Sequence, residues 1–206
     1  MYEGSIMLVG TVIVLYIGFL FWYGGSSSPM SASEAESYIN EIKTVQNKQG
    51  QQDNAILSQI RRMVEHDDGK EFYMINLVKY RKPDSSIPGD NPMAANSRYS
   101  KNVLPVLLKH GSHPVFSSSV IGSFLREEND VNWDTVSIVR YRSMRDFIKF
   151  ATEVSTSGID IDKWKAIDKT QVFPVKPNMS LIFVRATVAV ILVLIAFLVN
   201  LVVNIY

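Results

Sequence analysis

The sequence predicts an α+β domain of order helix, helix, β-α-β-β-α-β, held between two apolar helices at the ends of the chain. Three observations predict it. Ile6–Tyr23 and Ala186–Tyr206 are 18 and 21 residues without a charge. Between them lie about 150 residues of mixed patterning, enough for one domain with a core. In that region Phe72–Tyr80, Val115–Leu125 and Trp133–Arg142 are rich in β-branched and aromatic residues, as strands are.

Each apolar stretch, wound as a helix, is long enough to cross a hydrocarbon core about 30 Å thick. Residues 5–23 and 181–206 are therefore expected to be transmembrane helices of a two-pass membrane protein. Met1–Ser5 carry Glu3 and no base, unlike the basic lead of a secretory signal, so the first span reads as retained. Every Lys and Arg lies between the two uncharged stretches, with Lys176 and Arg185 on the domain side of the second. That bias predicts a cytoplasmic domain, with both termini on the opposite side. Asn200 and Asn204 share one helix face, and Gly10, Thr11 and Gly18 permit close approach. These are the expected membrane-helix contacts. The spans hold no acid, which argues against an ion pathway.

Composition excludes several functions. Lys+Arg number 21 against 20 Asp+Glu, too balanced for a general nucleic-acid surface. There is no cysteine, so disulfides, thiolate catalysis, iron–sulfur clusters and cysteine zinc sites are absent. No phosphate-binding glycine loop, Ser/His/Asp signature or repeat occurs.

Residues 24–32 read as a linker, flexible by its Gly24–Pro29 composition (GGSSSP). Residues 33–66 carry two amphipathic helices. In the first, Ser33 and Glu36 form a capping-box pattern, and Ala35, Tyr38, Ile39, Ile42 and Val45 recur at helical spacing. Asn47–Gln52 breaks it. Asp53 can cap the second, whose apolar face is Ile56, Ile60, Met63 and Val64. Residues 70–176 then form the domain proper. The first strand, Phe72–Tyr80, is followed by a proline-rich loop, Pro83–Pro92, and a helix over Ala94–His110 in which Pro105 is a kink or a start. Two strands joined by a charged turn come next. Ser143 opens a helix through Val154, Ile159–Asp168 holds a further turn, and Thr170–Val175 is the last strand. This order is the ferredoxin-like split βαβ arrangement, whose sheet has one face covered by helices and one open.

Phe72–Arg81 (FYMINLVKYR), Tyr99–Gly111 (YSKNVLPVLLKHG), Pro114–Ile121, Trp133–Ser143 (WDTVSIVRYRS) and Asp146–Phe150 resemble, in sequence and order, the DUF1330 family of the dimeric α/β-barrel superfamily. The resemblance covers about Ile56–Val175 and implies the ferredoxin-like fold and dimerisation. The family's function is unknown. In the wider superfamily the barrel cavity hosts oxygenase and isomerase chemistry, so the resemblance allows an enzyme. Two departures stand out: Gly111-Ser112-His113 replaces a frequent Gly-Gly, and the spans and the Ser33–Gln49 helix lie outside the pattern.

Strand alternation places Phe72, Met74, Asn76, Val78 and Tyr80 on one face, and Thr135, Ser137 and Tyr141 on one face of the third strand. Asn76, Tyr80, Thr135 and Ser137 are candidates for lining a small-molecule pocket. Phe72, Met74 and Val78 are candidates for an association face, with Tyr73, Ile75 and Leu77 expected against the helices. His110 and His113 lack a third ligand: His66 is expected on a distant helix, and Glu127, Glu128 and Asp130 lie on another loop. Asp134 reads as a strand start. No metal and no cofactor is expected, and no catalytic set is readable from the sequence. The expected function is a non-catalytic accessory or structural subunit whose partners are the lipid bilayer and other membrane subunits or a second copy. The alternative is a membrane-tethered enzyme or binder for a small hydrophobic molecule.

Overall fold

The computed structural model describes residues 28–48, 54–125, 127 and 130–178, with 14, 17–24 and, near the C-terminus, 190, 191, 194, 197, 198 and 201. The chain falls into two units, Met1–Lys176 and Pro177–Tyr206. In the second, residues 190, 191, 194, 197, 198 and 201 are helical. Among the described residues no helix is long and apolar enough to cross a membrane. Most of both expected spans, with Gly10, Thr11, Asn200 and Asn204, lies outside the described residues. Residues 17–24 are helical, and Gly18 faces open space there.

The elements of the first unit are α1 (Ala32–Lys48), α2 (Asn54–Glu65), β1 (Phe72–Tyr80), α3 (Pro92–Lys109), β2 (His113–Ser119), β3 (Thr135–Tyr141), α4 (Met144–Ser157), α5 (Asp160–Ala166) and β4 (Ile167–Val175). Local chemistry sets several ends. The Ser31 hydroxyl accepts from the Glu34 amide and starts α1. The expected cap, Ser33, lies inside the helix, and Glu36 binds Arg61 of α2 instead of capping. Asn91 caps α3, Pro92 takes its first position, and Pro105 sits within the helix. Ser143 caps α4, which ends on Gly158 in the left-handed conformation. The proposed cap Asp53 lies outside the described residues.

The four strands are antiparallel in the order β2-β3-β1-β4. Sequential β1-α3-β2 and β3-α4-β4 units interleave, with β1 and β3 central, which is the ferredoxin-like arrangement. One core joins the sheet to the helices, with Phe72, Met74 and Tyr141 from the sheet, Leu107 from α3, Ile148 from α4 and Ile39 from α1. Phe72 stacks on Tyr141 at 5.5 Å, and Phe147 meets Tyr141 edge-on at 4.9 Å. In α2 the inward residues are Leu57, Ile60 and Val64, with Met63 packed beside them, whereas Ile56 is exposed.

The sheet faces are the reverse of the expectation. Phe72 and Met74 are buried in the helix-side core, and Val78 follows them by alternation. Tyr73, Ile75 and Leu77 point to the open face. The register shows why: Phe72 lies opposite Tyr141, and Met74 opposite Val139, both packed under the helices.

Candidate functional site

Two places on the first unit gather polar side chains with a purpose. The first is a cleft of about 460 Å³ where β1 ends, β3 begins and the first turn of α3 approaches. Its walls are Tyr80, Met93, Ser117, Ser118, Ser119, Asp134 and Thr135. Asp134 precedes β3 and is fully engaged: Lys79 Nζ and the Tyr80 amide each donate to it at 2.8 Å. The bond from Lys79 holds its carboxyl below the usual range. Tyr80, Ser117, Ser119 and Thr135 have hydroxyls with no hydrogen-bond partner among the described residues. The cleft therefore offers neutral donors and acceptors beside one thioether and no uncompensated charge. It suits an uncharged, hydrogen-bonding molecule more than an ionised or wholly apolar one.

Of the four pocket candidates, Tyr80 and Thr135 line this cleft. Asn76 and Ser137 pair with one another one step deeper in the sheet. The Asn76 amide donates to the Met74 carbonyl at 3.1 Å and reaches the Ser137 carbonyl at 3.5 Å, which accounts for a polar residue in an apolar strand. The histidines are scattered. His110 Nε2 meets Glu153 at 2.9 Å, His113 Nδ1 lies near its neighbour's carbonyl, and His66 bonds the Arg62 carbonyl. The Glu127 amide donates to Asp130, and Glu128 lies outside the described residues. Among the described residues no group of three His or acidic side chains could hold a metal.

The second place was not anticipated. Arg140, Arg142 and Arg145 hold the chain that enters the domain. Arg140 donates to the Tyr23 carbonyl and Arg142 to the Trp22 carbonyl, both at 2.8 Å. Arg145 donates to Ser28 and Pro29 and pairs with Glu34. The Asp67 carboxylate accepts from the Met30 amide at 2.7 Å. The described part of the expected linker is thus bound to the domain. Each arginine is positioned in turn. Arg140, buried, pairs with Glu71 at 2.6 Å; Arg142 pairs with Asp146, which also accepts from Ser143. Burial pushes the Asp146 carboxyl up, but Arg142 and Ser143 outweigh it and leave it below its ordinary value. The one trace in the sequence is Arg140-Tyr-Arg-Ser-Met-Arg145, with three bases in six residues.

The open sheet face presents the row Phe116, Ile138, Ile75 and Phe173 across all four strands. Its outer members Phe116 and Phe173 are 42% and 38% exposed. The next row, His113, Arg140, Tyr73 and Val175, is the one that Tyr23 covers.

No known family model matches the sequence, and no curated protein resembles it. Among solved structures, RPA0582, a protein of unknown function from Rhodopseudomonas palustris, aligns with a TM-score of 0.53 at 19% identity, over 63% of this chain and 96% of its own. Its methylated form gives the same score and identity over 62% and 93%. A dabb family protein with a ferredoxin-like fold from Mesorhizobium loti gives 0.36 at 9% identity, over 53% and 98%. The first likeness is one of fold, and it agrees with the strand order: the domain is an α+β protein of ferredoxin-like topology.

Proposed function

We propose that this chain is a membrane-anchored, non-catalytic accessory or structural subunit, with a DUF1330-type domain held at the surface of the bilayer by spans at residues 5–23 and 181–206. One observation carries the reading. The first apolar segment ends at Tyr23, bonded to Arg140, and the chain leaves β4 at Val175; both lie on the row through Tyr73. Tyr23 and the end of β4 therefore lie at one end of the sheet, in keeping with a domain tethered from that end. Trp22 and Tyr23 close the first stretch, in keeping with an interfacial aromatic belt. The lysine and arginine bias favours a cytoplasmic domain, and the open apolar row favours contact with a second copy or another subunit.

Alkaline carbonate washing of membranes, followed by gentle detergent extraction, tests this. The chain is expected to stay with the membrane, to be released by detergent and to bring partners or a second copy with it. Quantitative release by carbonate defeats the membrane reading; extraction as a lone monomer defeats the subunit reading. An impermeant thiol reagent on intact cells is expected to label Tyr206→Cys and to spare Lys101→Cys, and the opposite pattern reverses the topology.

The cleft at Tyr80 supports a second reading, a membrane-tethered binder of a small molecule. Its hydroxyl lining shifts the expected ligand from hydrophobic to uncharged and polar. Mass spectrometry of gently purified protein, with Tyr80→Phe and Thr135→Val as comparison, tests it.

A further inference from the structure

We infer that the segment Arg140–Arg145 is a docking site for the C-terminal end of the apolar N-terminal helix, and that it holds helix and domain as one stiff body. The last carbonyls of a helix have no partner within it and carry the negative end of its dipole. Two guanidinium groups meet that end here, on the carbonyls of Trp22 and Tyr23. The Trp22 indole also donates to the Leu108 carbonyl at 3.2 Å, near the end of α3, so the helix end touches two elements of the domain. The Arg140 guanidinium lies over the Tyr23 ring.

The arginines themselves cannot swing away. Arg140 is buried and tied to Glu71 and to the Gly111 carbonyl, and Arg142 is clamped by both oxygens of Asp146. A free Gly-Ser-rich tether would behave as a random coil and decouple helix from domain. Here the chain is held before that segment, at Trp22 and Tyr23, and after it, at Ser28 and Pro29. Whatever tilts the helix therefore tilts the sheet, and the cleft and the open face are presented at a fixed attitude to whatever holds the helix. This rests on contacts inside Met1–Lys176 and holds whether or not the helix spans a membrane.

The test is a distance distribution between two spin labels on the full chain in detergent micelles. The sequence has no cysteine, so Phe21→Cys, on an exposed helix position, and Lys101→Cys, on α3, give one pair. A single narrow distribution is expected. Arg140→Gln with Arg142→Gln is expected to broaden it several-fold while far-ultraviolet circular dichroism remains that of a folded domain. If that double variant unfolds, Tyr23→Ala with Arg142→Gln, which spares buried Arg140, takes its place with the same expected broadening. A broad distribution in the unaltered protein overturns the inference, and so does a folded variant whose distribution stays narrow. Either result leaves the carbonate and labelling tests of membrane anchoring untouched.

Discussion

The guanidinium carbon of Arg140 lies 3.4 Å from the centre of the Tyr23 ring, and the same group donates to the Tyr23 carbonyl at 2.8 Å. A buried cation is tolerable only when every face is met. Here a ring, two carbonyls and the Glu71 carboxylate meet it. Glu71 is the one anionic partner among the described residues, and its side chain is 39% exposed, so solvent screens part of the pair. Glu71→Ala is expected to lower unfolding free energy by about 1–2 kcal/mol, measured by urea denaturation. An unchanged midpoint would show that the carbonyls and ring suffice.

Much of the fold was legible. The bounds of β1 follow directly from its run of aromatic and branched residues, and α4 begins where Ser143 says it should. The facing of β1 was not legible, because Phe72, Met74 and Val78 are as apolar as Tyr73, Ile75 and Leu77. Period-two alternation separates the two sets without saying which turns inward; only the pairing of Phe72 with Tyr141 decides. β2 was read as Val115–Leu125 but spans His113–Ser119, since its pairing with β3 ends at Ser119 and Ile121–Leu125 lies exposed beyond it. Of the four pocket candidates, the two that line the cleft, Tyr80 and Thr135, came from alternation along β1 and β3. Ser117, Ser119 and Met93 reach it by tertiary approach. The arginine contacts to Trp22 and Tyr23 bridge most of the domain in sequence and leave no local period to read.

The open row Phe116, Ile138, Ile75 and Phe173 gives a prediction about association. Phe173 lies on an edge strand and is partly exposed, so a charge there disturbs folding little. Light scattering of the full chain in detergent is expected to show self-association that Phe173→Lys abolishes. A lone monomer before the substitution removes this face as an association surface.

Acid is expected to loosen the domain through Asp146. Its folded carboxyl titrates below the unfolded one, so the stability it contributes is full above the unfolded value and is lost as pH falls through the folded one. The urea midpoint should hold from neutrality down to about pH 5 and fall below about pH 4, near the ordinary aspartate value. Glu34 and Glu153, lowered by Arg145 and by Lys109 with His110, add to the same fall. The difference between the unaltered chain and Asp146→Asn isolates one group. That difference is expected to shrink as pH drops, and a difference independent of pH would exclude Asp146 as the titrating group.

Gly111 sits at φ +62° in the turn between α3 and β2, a left-handed conformation that L side chains adopt at a loss of about 1–2 kcal/mol. A Cβ there would stand 2.8 Å from Arg142 Nε, a separation real Cβ atoms do not keep. A flexible side chain normally moves aside. Arg142 is held by both Asp146 oxygens and by the Trp22 carbonyl, so moving it releases the helix end. Gly111→Ala is therefore expected to do two things: lower stability and change the surroundings of Trp22. Gly158→Ala supplies the comparison, because it meets only Ile161 Cδ1 at 3.3 Å, at φ +72°, and touches no part of the arginine contacts. With Trp133 and Trp164 replaced by Phe, the emission of Trp22 should shift to the red in Gly111→Ala and stay unchanged in Gly158→Ala, while both lose stability. Equal emission in the two variants would mean that Arg142 finds another position without releasing Trp22, and that the turn and the docked helix are independent.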